Sequence, residues 1–260
     1  MKILVFADLH YFDGDEKNFN SERKLVQFAE PILDKLIETA AHDEVSMVVN
    51  LGDIIQDTQS REGDLECLEY MFGRLNKFNC PCYSILGNHD LKMMDSTEEV
   101  EKVMGYETSR YSIDADGFHL VFLTTDVMPE LGTARGGSYK TQNLSDKGLE
   151  WLKNDLANNN MPCLLFTHFP LVDDKDVQDE CSYMKNRDEV KKIINNDKNI
   201  KAVFSGHQHK PKILEEDGIK HYIVGSPTTS FKGDGIPIGV YGIIEIDGED
   251  MRYAEHHIVL

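Results

Sequence analysis

The chain has 260 residues, 40% of them hydrophobic and 28% charged, enough for one domain with a sizeable core and the wrong balance for a disordered tail. Forty-six acidic against 27 basic side chains leave a net charge of -19, which repels nucleic-acid backbones and argues against nucleic acid as a partner. No apolar run reaches the roughly 20 residues of a membrane-spanning helix, and the opening MKILVFADLH places an acid and a histidine where a signal peptide has small residues.

A cytoplasmic chain forming a single domain over residues 1–260, with no membrane partner, is therefore expected. Cys67, Cys80, Cys82, Cys163 and Cys181 are odd in number and lack paired CxxC spacing, so they read as reduced, mostly core residues.

In chain order, a first strand is predicted over Lys2–Ala7, then a helix whose Leu25, Phe28, Ala29, Ile32, Leu33, Leu36, Ile37 and Ala40 keep i, i+3, i+4 spacing. Pro31 should kink that helix or mark its restart. There follow a strand over Ser46–Leu51, a helix over Asp64–Phe78, a strand over Pro81–Leu86 and a helix over Thr97–Met104. Strands at Arg110–Asp114 and Phe118–Thr125 flank an Asp116-Gly117 turn. A helix at Ser145–Asn158, with Ser145 as N-cap, leads to a strand at Met161–Thr167. After a helix at Arg187–Asn195 come strands at Ala202–Ser205, Lys212–Glu216, His221–Val224, Val240–Ile246 and Met251–His257, with turns at Asp217-Gly218 and Asp247-Gly248.

The six strands joined by those Asp-Gly turns read as an antiparallel group, and the helix-linked ones as a second group. Two sheets packed face to face with helices outside accommodate both, giving four layers. The acidic run Asp173–Glu180 reads as a solvated loop.

Polar residues cluster where apolar strands end. Five strands run directly into Asp8-Leu9-His10, Gly52-Asp53, Gly87-Asn88-His89-Asp90, Thr167-His168 and Gly206-His207-Gln208-His209. In open α/β sheets ligands collect beyond the carboxyl ends of strands. Residues i and i+2 of an extended segment share a side, which would let Asp8 converge with His10, and His207 with His209. So many carboxylates and imidazoles packed together need compensation, and cations supply it. Asp, His and Asn donors without thiolates suit manganese, iron or zinc.

In order and spacing these segments resemble the calcineurin-like metallophosphoesterases, from Asp8 to His209, and within them the single-domain phosphodiesterase-type members. The resemblance implies a four-layer α/β/β/α sandwich of two mixed β-sheets flanked by helices, a dinuclear metal centre and a small-molecule phosphoester substrate. It puts Asp8, His10 and His209 on a first metal and Asn88, His168 and His207 on a second, with Asp53 bridging. It implies in-line attack on phosphorus by a hydroxide between the metals, stabilised by Asn88 and His89, with His89 as general acid. Manganese or iron is the expected pair, with zinc an alternative.

The chain departs from the Ser/Thr phosphatase branch of that family, which carries an acid three residues after the bridging aspartate. Here that position holds Gln56, so Gln56, Asp57 and Asp90 all remain candidates for orienting His89. Substrate choice is expected from loops Tyr11–Asn20, Asp57–Gly63, Arg135–Lys140 and Phe169–Lys185. Tyr11 could stack on a base or sugar and Arg135 could neutralise a second phosphate, although a surface aromatic and a solvated arginine are the plainer readings. His42, His119, His221, His256 and His257 receive no function. Phosphomonoester hydrolysis by the same centre, a nuclease, and a non-catalytic metal-binding scaffold are the competing readings.

Overall fold

Along the first strand, β1 (Lys2–Phe6), Ile3 and Val5 point to one side and Leu4 and Phe6 to the other, yet all four are fully buried. A strand apolar on both faces needs a layer above and below it, and a computed structural model shows what those layers are. The structure describes residues 1–13, 17–19, 22–106, 109–131 and 139–260.

In chain order the elements are β1, β2 (Lys17–Phe19), β3 (Glu22–Lys24), α1 (Ala29–His42), β4 (Met47–Asn50), α2 (Arg61–Leu75), β5 (Cys82–Ser84), α3 (Asn88–Leu91), α4 (Glu98–Met104), β6 (Arg110–Ala115) and β7 (Phe118–Leu123). The second half holds α5 (Asp146–Ala157), β8 (Cys163–Thr167), α6 (Arg187–Ile194), β9 (Ile200–Ser205), β10 (Lys212–Glu216), β11 (Ile219–Ile223), β12 (Thr229–Ser230), β13 (Val240–Asp247) and β14 (Asp250–His257). One sheet has the order β14-β13-β1-β4-β5, a second β10-β11-β9-β8-β7-β6, and β12-β3-β2 form a small third.

Between the two large sheets lie Ile3, Val5, Val49 and Leu51 from one side and Leu120, Phe122, Phe166 and Phe204 from the other. The outer face of the first sheet buries Leu4, Phe6 and Val48 under α1 and α2, through Ile32, Leu33, Leu36, Leu68 and Met71. The outer face of the second buries Val121, Leu165 and Val203 under α5 and α6, through Leu152, Leu156, Val190 and Ile194. This is the four-layer arrangement expected from the sequence. Rings of Tyr111, Phe122, Phe166, Phe204 and Tyr222, one from each of five neighbouring strands, stack at 4.7–5.4 Å across the interior. Such aromatic pairs add about 0.5–1.5 kcal/mol each beyond their buried area.

The antiparallel grouping is corrected. β6–β7, β10–β11 and β13–β14 are antiparallel hairpins, but β7 pairs parallel with β8, β11 pairs parallel with β9, and β13 runs antiparallel along β1. Each large sheet therefore mixes both groups. An Asp-Gly turn fixes only the pairing inside its own hairpin.

Pro31 falls in the first turn of α1, where its missing N–H has no intrahelical partner to lose, so it marks the restart after a 3-10 turn at Val26–Phe28. α2 starts at Arg61 because the Ser60 hydroxyl accepts the Gly63 N–H; Ser145 caps α5 through Gly148 as anticipated. The third sheet falls largely within the predicted Tyr11–Asn20 loop and its flanks. All five cysteines are free, and among the described residues no helix is long and apolar enough to cross a membrane.

Candidate metal centre

The strand-end segments meet at one end of the two sheets: Asp8 and His10 follow β1, Asp53 follows β4, Asn88 and His89 open α3 after β5, His168 follows β8, and His207 and His209 follow β9. They converge by a route other than the pleat. Asp8, His10, Asp53, His207 and His209 all have left-handed backbones, with φ between 51° and 69°, a conformation that costs a non-glycine residue of the order of 1–3 kcal/mol when it is enforced. Such strain concentrates at functional sites, and five cases here share one crevice. The turns hold by tertiary bonds: Asp8 N–H donates to the Gly52 carbonyl at 2.9 Å and His10 N–H to the Asp53 carbonyl at 3.0 Å.

Two glycines make room. A Cβ on Gly87 would overlap Asp53 Oδ1 and come within 2.7 Å of His168 Cε1, and one on Gly206 would lie 2.7 Å from Asp8 Oδ2. Asp90 is spent on the scaffold. Its carboxylate accepts the N–H groups of Asp53, Ile54, Ile55 and Gly87 at 2.8–3.2 Å, pinning the segment after β4 to the start of α3.

Donor atoms of Asp8, His10 and His209 lie within 4.8 Å of one another, and so do those of Asp53, His168 and His207. His10 Nε2 and His209 Nε2 are 3.0 Å apart, and each approaches Asp8 Oδ1, at 3.8 and 3.6 Å. His10 Nε2 is also 3.9 Å from Asp53 Oδ2, which in turn is 3.4 Å from His168 Nε2. Asn88 Oδ1 is 3.2 Å from the same His168 nitrogen. Asp53 thus stands between the two groups.

Surrounding bonds set the tautomers. His168 Nδ1 donates to the Leu51 carbonyl at 2.8 Å, which turns the Nε2 lone pair inward, and His207 Nε2 donates to the Cys181 carbonyl at 2.9 Å, leaving Nδ1 as its lone-pair nitrogen. One carboxylate oxygen of each aspartate is likewise committed: Asp8 Oδ2 accepts the His207 N–H and Asp53 Oδ1 the His89 N–H. The other two, Asp8 Oδ1 and Asp53 Oδ2, are fully buried and accept no hydrogen bond. A buried carboxylate oxygen left so is costly, and a cation satisfies it. The donor set of two carboxylates, four imidazoles and one amide fits a pair of hard or borderline divalent ions.

Without cations, protons substitute. Burial disfavours a charged His168, but the Asp53 carboxylate outweighs it and pushes the imidazole up to about 9. Burial raises Asp8 to about 6. Cation uptake must therefore displace protons.

His89 also comes within 4.8 Å of His10 and Asp53, but its Nδ1 is engaged by Asp57 Oδ2 at 2.6 Å. Gln56 Nε2 donates to the same Asp57 oxygen at 3.0 Å, and Lys92 Nζ sits 3.0 Å from the other. Burial raises the Asp57 carboxyl, yet His89 and Lys92 pull it down to about 2. Of the three candidates for orienting His89, Asp57 makes the shortest contact, and Gln56 braces Asp57 with its Nε2 also 3.1 Å from His89 Nδ1.

Tyr11 packs its ring against Tyr70 of α2 at 5.3 Å, which favours the plain reading over a base-stacking role. Arg135 lies outside the described residues. Sequence reasoning missed Lys24, 4% exposed on β3 with Nζ 3.5 Å from His89 Nε2; nothing in a polar ERK triplet marks one residue for burial.

The sequence model for calcineurin-like phosphoesterases matches residues 1–211. The chain belongs to this family. Its members are metal-dependent phosphoric ester hydrolases built on a mixed α/β fold. A manganese-dependent ADP-ribose/CDP-alcohol diphosphatase from Arabidopsis thaliana is 24% identical over 84% of this chain and 83% of its own length. A probable cyclic nucleotide phosphodiesterase from Xenorhabdus bovienii is 23% identical over 89% and 87%. Among solved structures, a dimetal phosphatase from Danio rerio superimposes with a TM-score of 0.75 at 15% identity, covering 98% of this chain and 95% of that one, a likeness of fold.

Proposed function

We propose that this phosphoesterase hydrolyses small phosphodiesters or nucleotide-type pyrophosphates with two cations, one held by Asp8, His10 and His209 and one by Asn88, His168 and His207, with Asp53 between them. The observation that carries this reading is the pair of buried, unsatisfied oxygens, Asp8 Oδ1 and Asp53 Oδ2, 3.6 Å from His209 Nε2 and 3.4 Å from His168 Nε2. The diphosphatase and phosphodiesterase names of its relatives support the substrate class. When bound, such ions lower the pKa of water towards about 7 and neutralise phosphoryl charge.

The chain's own residues do the rest. Asn88 offers its side-chain amide to phosphoryl oxygens. His89 presents Nε2 to the leaving oxygen and gives it a proton, while Asp57 fixes the tautomer by accepting from Nδ1. Burial and the Lys24 ammonium hold the His89 pKa below the usual imidazole value, which makes His89 a readier proton donor once charged. The Phe169–Lys185 segment reaches the centre through the Cys181 carbonyl, so its placement couples to His207. The same centre also serves monoesters.

After loading with manganese, a bis-aryl phosphodiester should turn over faster than the matching aryl monoester. A faster monoester would replace this reading with phosphomonoester hydrolysis, and no cleavage of either, or of a nucleotide pyrophosphate, with manganese, iron, zinc or cobalt would favour a metal-binding scaffold.

A further inference from the structure

Lys24 is an unusual neighbour for this centre. The residue is 4% exposed, a depth that lysines rarely reach. Its Nζ lies 3.5 Å from His89 Nε2 and 3.3 Å from Gln56 Oε1.

The side chain is also held in place. β3 pairs with β12, Lys24 facing Thr229 across the ladder, and Leu25 N–H donates to the Thr228 carbonyl at 3.0 Å. The Thr228 and Ser226 hydroxyls in turn donate to the Asp8 carbonyl, at 3.4 and 2.8 Å. The ammonium is thus mounted on the same backbone that positions Asp8.

We propose that Lys24 binds a second phosphate on the leaving side of the substrate, so that the site acts preferentially on pyrophosphates whose leaving group is itself a phosphate ester. This rests on the hydrolase reading above, with His89 Nε2 at the leaving oxygen. A positive charge beside that nitrogen lies beside whatever the leaving oxygen belongs to. In a simple or cyclic phosphodiester that is an alcohol, which is neutral and gains little. In a pyrophosphate it is a phosphate with anionic oxygens of its own, which a buried ammonium holds by charge-assisted hydrogen bonds.

Hydrolysis adds one water across the P–O–P bridge. The water oxygen bonds to one phosphorus, the bond from that phosphorus to the bridging oxygen breaks, and its electron pair stays on the bridging oxygen. His89 gives that oxygen a proton and regains one from the water, so two phosphate monoesters leave.

The test compares ADP-ribose with bis-p-nitrophenyl phosphate in wild type, Lys24→Met and Lys24→Arg, all manganese-loaded, with thermal unfolding to verify folding. A lost charge-assisted bond is worth about 10- to 100-fold. Lys24→Met should therefore lower the ADP-ribose to aryl-diester ratio of kcat/KM at least tenfold, and Lys24→Arg should restore it to within about threefold. Equal losses on both substrates, or none on either, would overturn the proposal.

Calorimetric binding of AMP and ribose 5-phosphate gives a second reading that needs no turnover. Lys24→Met should weaken at least one of them about tenfold, and unchanged affinity for both would also overturn the role. A wild-type protein inactive on every ester fails the hydrolase reading instead, and the binding measurement still decides whether Lys24 holds phosphate.

Discussion

His89 and His119 are both histidines with a carboxylate on Nδ1, Asp57 at 2.6 Å and Asp114 at 2.7 Å, yet they are opposite devices. At His119, on the outer face of the second sheet, Nε2 also meets a carboxylate, Asp155 at 2.9 Å. The Asp155 bond, with Asp114 and against partial burial, raises its pKa, so a charged His119 ties β6, β7 and α5 together. At His89 the second nitrogen faces Lys24 and the donor cage. Burial and that ammonium lower its pKa against the pull of Asp53 and Asp57. One carboxylate orients an imidazole. What faces the other nitrogen decides whether the ring holds its proton or passes it on.

The sharpest way to break this contrast is to remove each ring. His89→Ala should lower kcat about 100-fold or more on substrates with poor leaving groups, with metal content near wild type; a metal-loaded variant of full activity would strip His89 of its role. Asp57→Asn keeps the shape but replaces the carboxylate with a neutral amide that can present a donor to Nδ1 and favour the wrong tautomer, so kcat should fall about 10- to 100-fold with little change in KM. Gln56 alone sufficing as the support would show as an unchanged kcat.

His119→Gln should leave kcat/KM within about twofold. Its effect lies in stability, and the sign follows from the raised pKa. A group whose folded pKa exceeds its unfolded value of about 6.5 stabilises fully below that value and loses the contribution as pH rises through the folded pKa. The variant should therefore melt about 2–4 °C lower near pH 5.5 and approach wild type as the pH rises through the raised His119 pKa. A Tm difference that grows with pH would refute the assignment.

Much of this contrast was legible in the sequence at His89 and none of it at His119. The strand-end segments could be read because glycine, aspartate and histidine interrupt apolar runs at five places, and the fold follows because those runs alternate with amphipathic helices. Asp8 does meet His10, but not through the pleat, and His207 and His209 fall in separate donor groups. Asp8, His10, His207 and His209 are aimed by left-handed turns that long-range bonds enforce, which local periodicity does not encode.

That Asp57 and Gln56 reach the ring while Asp90 accepts backbone N–H groups could not be read, since all three lie near the motif and only the three-dimensional turn separates a ring contact from a backbone cap. Lys24 and His119 depend on partners 65 and 36 residues away. The parallel pairing of β7 with β8 and of β11 with β9 likewise depends on crossovers, not on the turns flanking each strand.

The central claim is that Asp8, His10, Asp53, Asn88, His168, His207 and His209 enclose two cations around one shared carboxylate. Elemental analysis of manganese-loaded, exhaustively dialysed protein tests it most directly, with Asp53→Asn alongside. Two ions per wild-type chain and at most one in the variant is the predicted result; one ion or none in the wild type, or two retained without the Asp53 carboxylate, would contradict it.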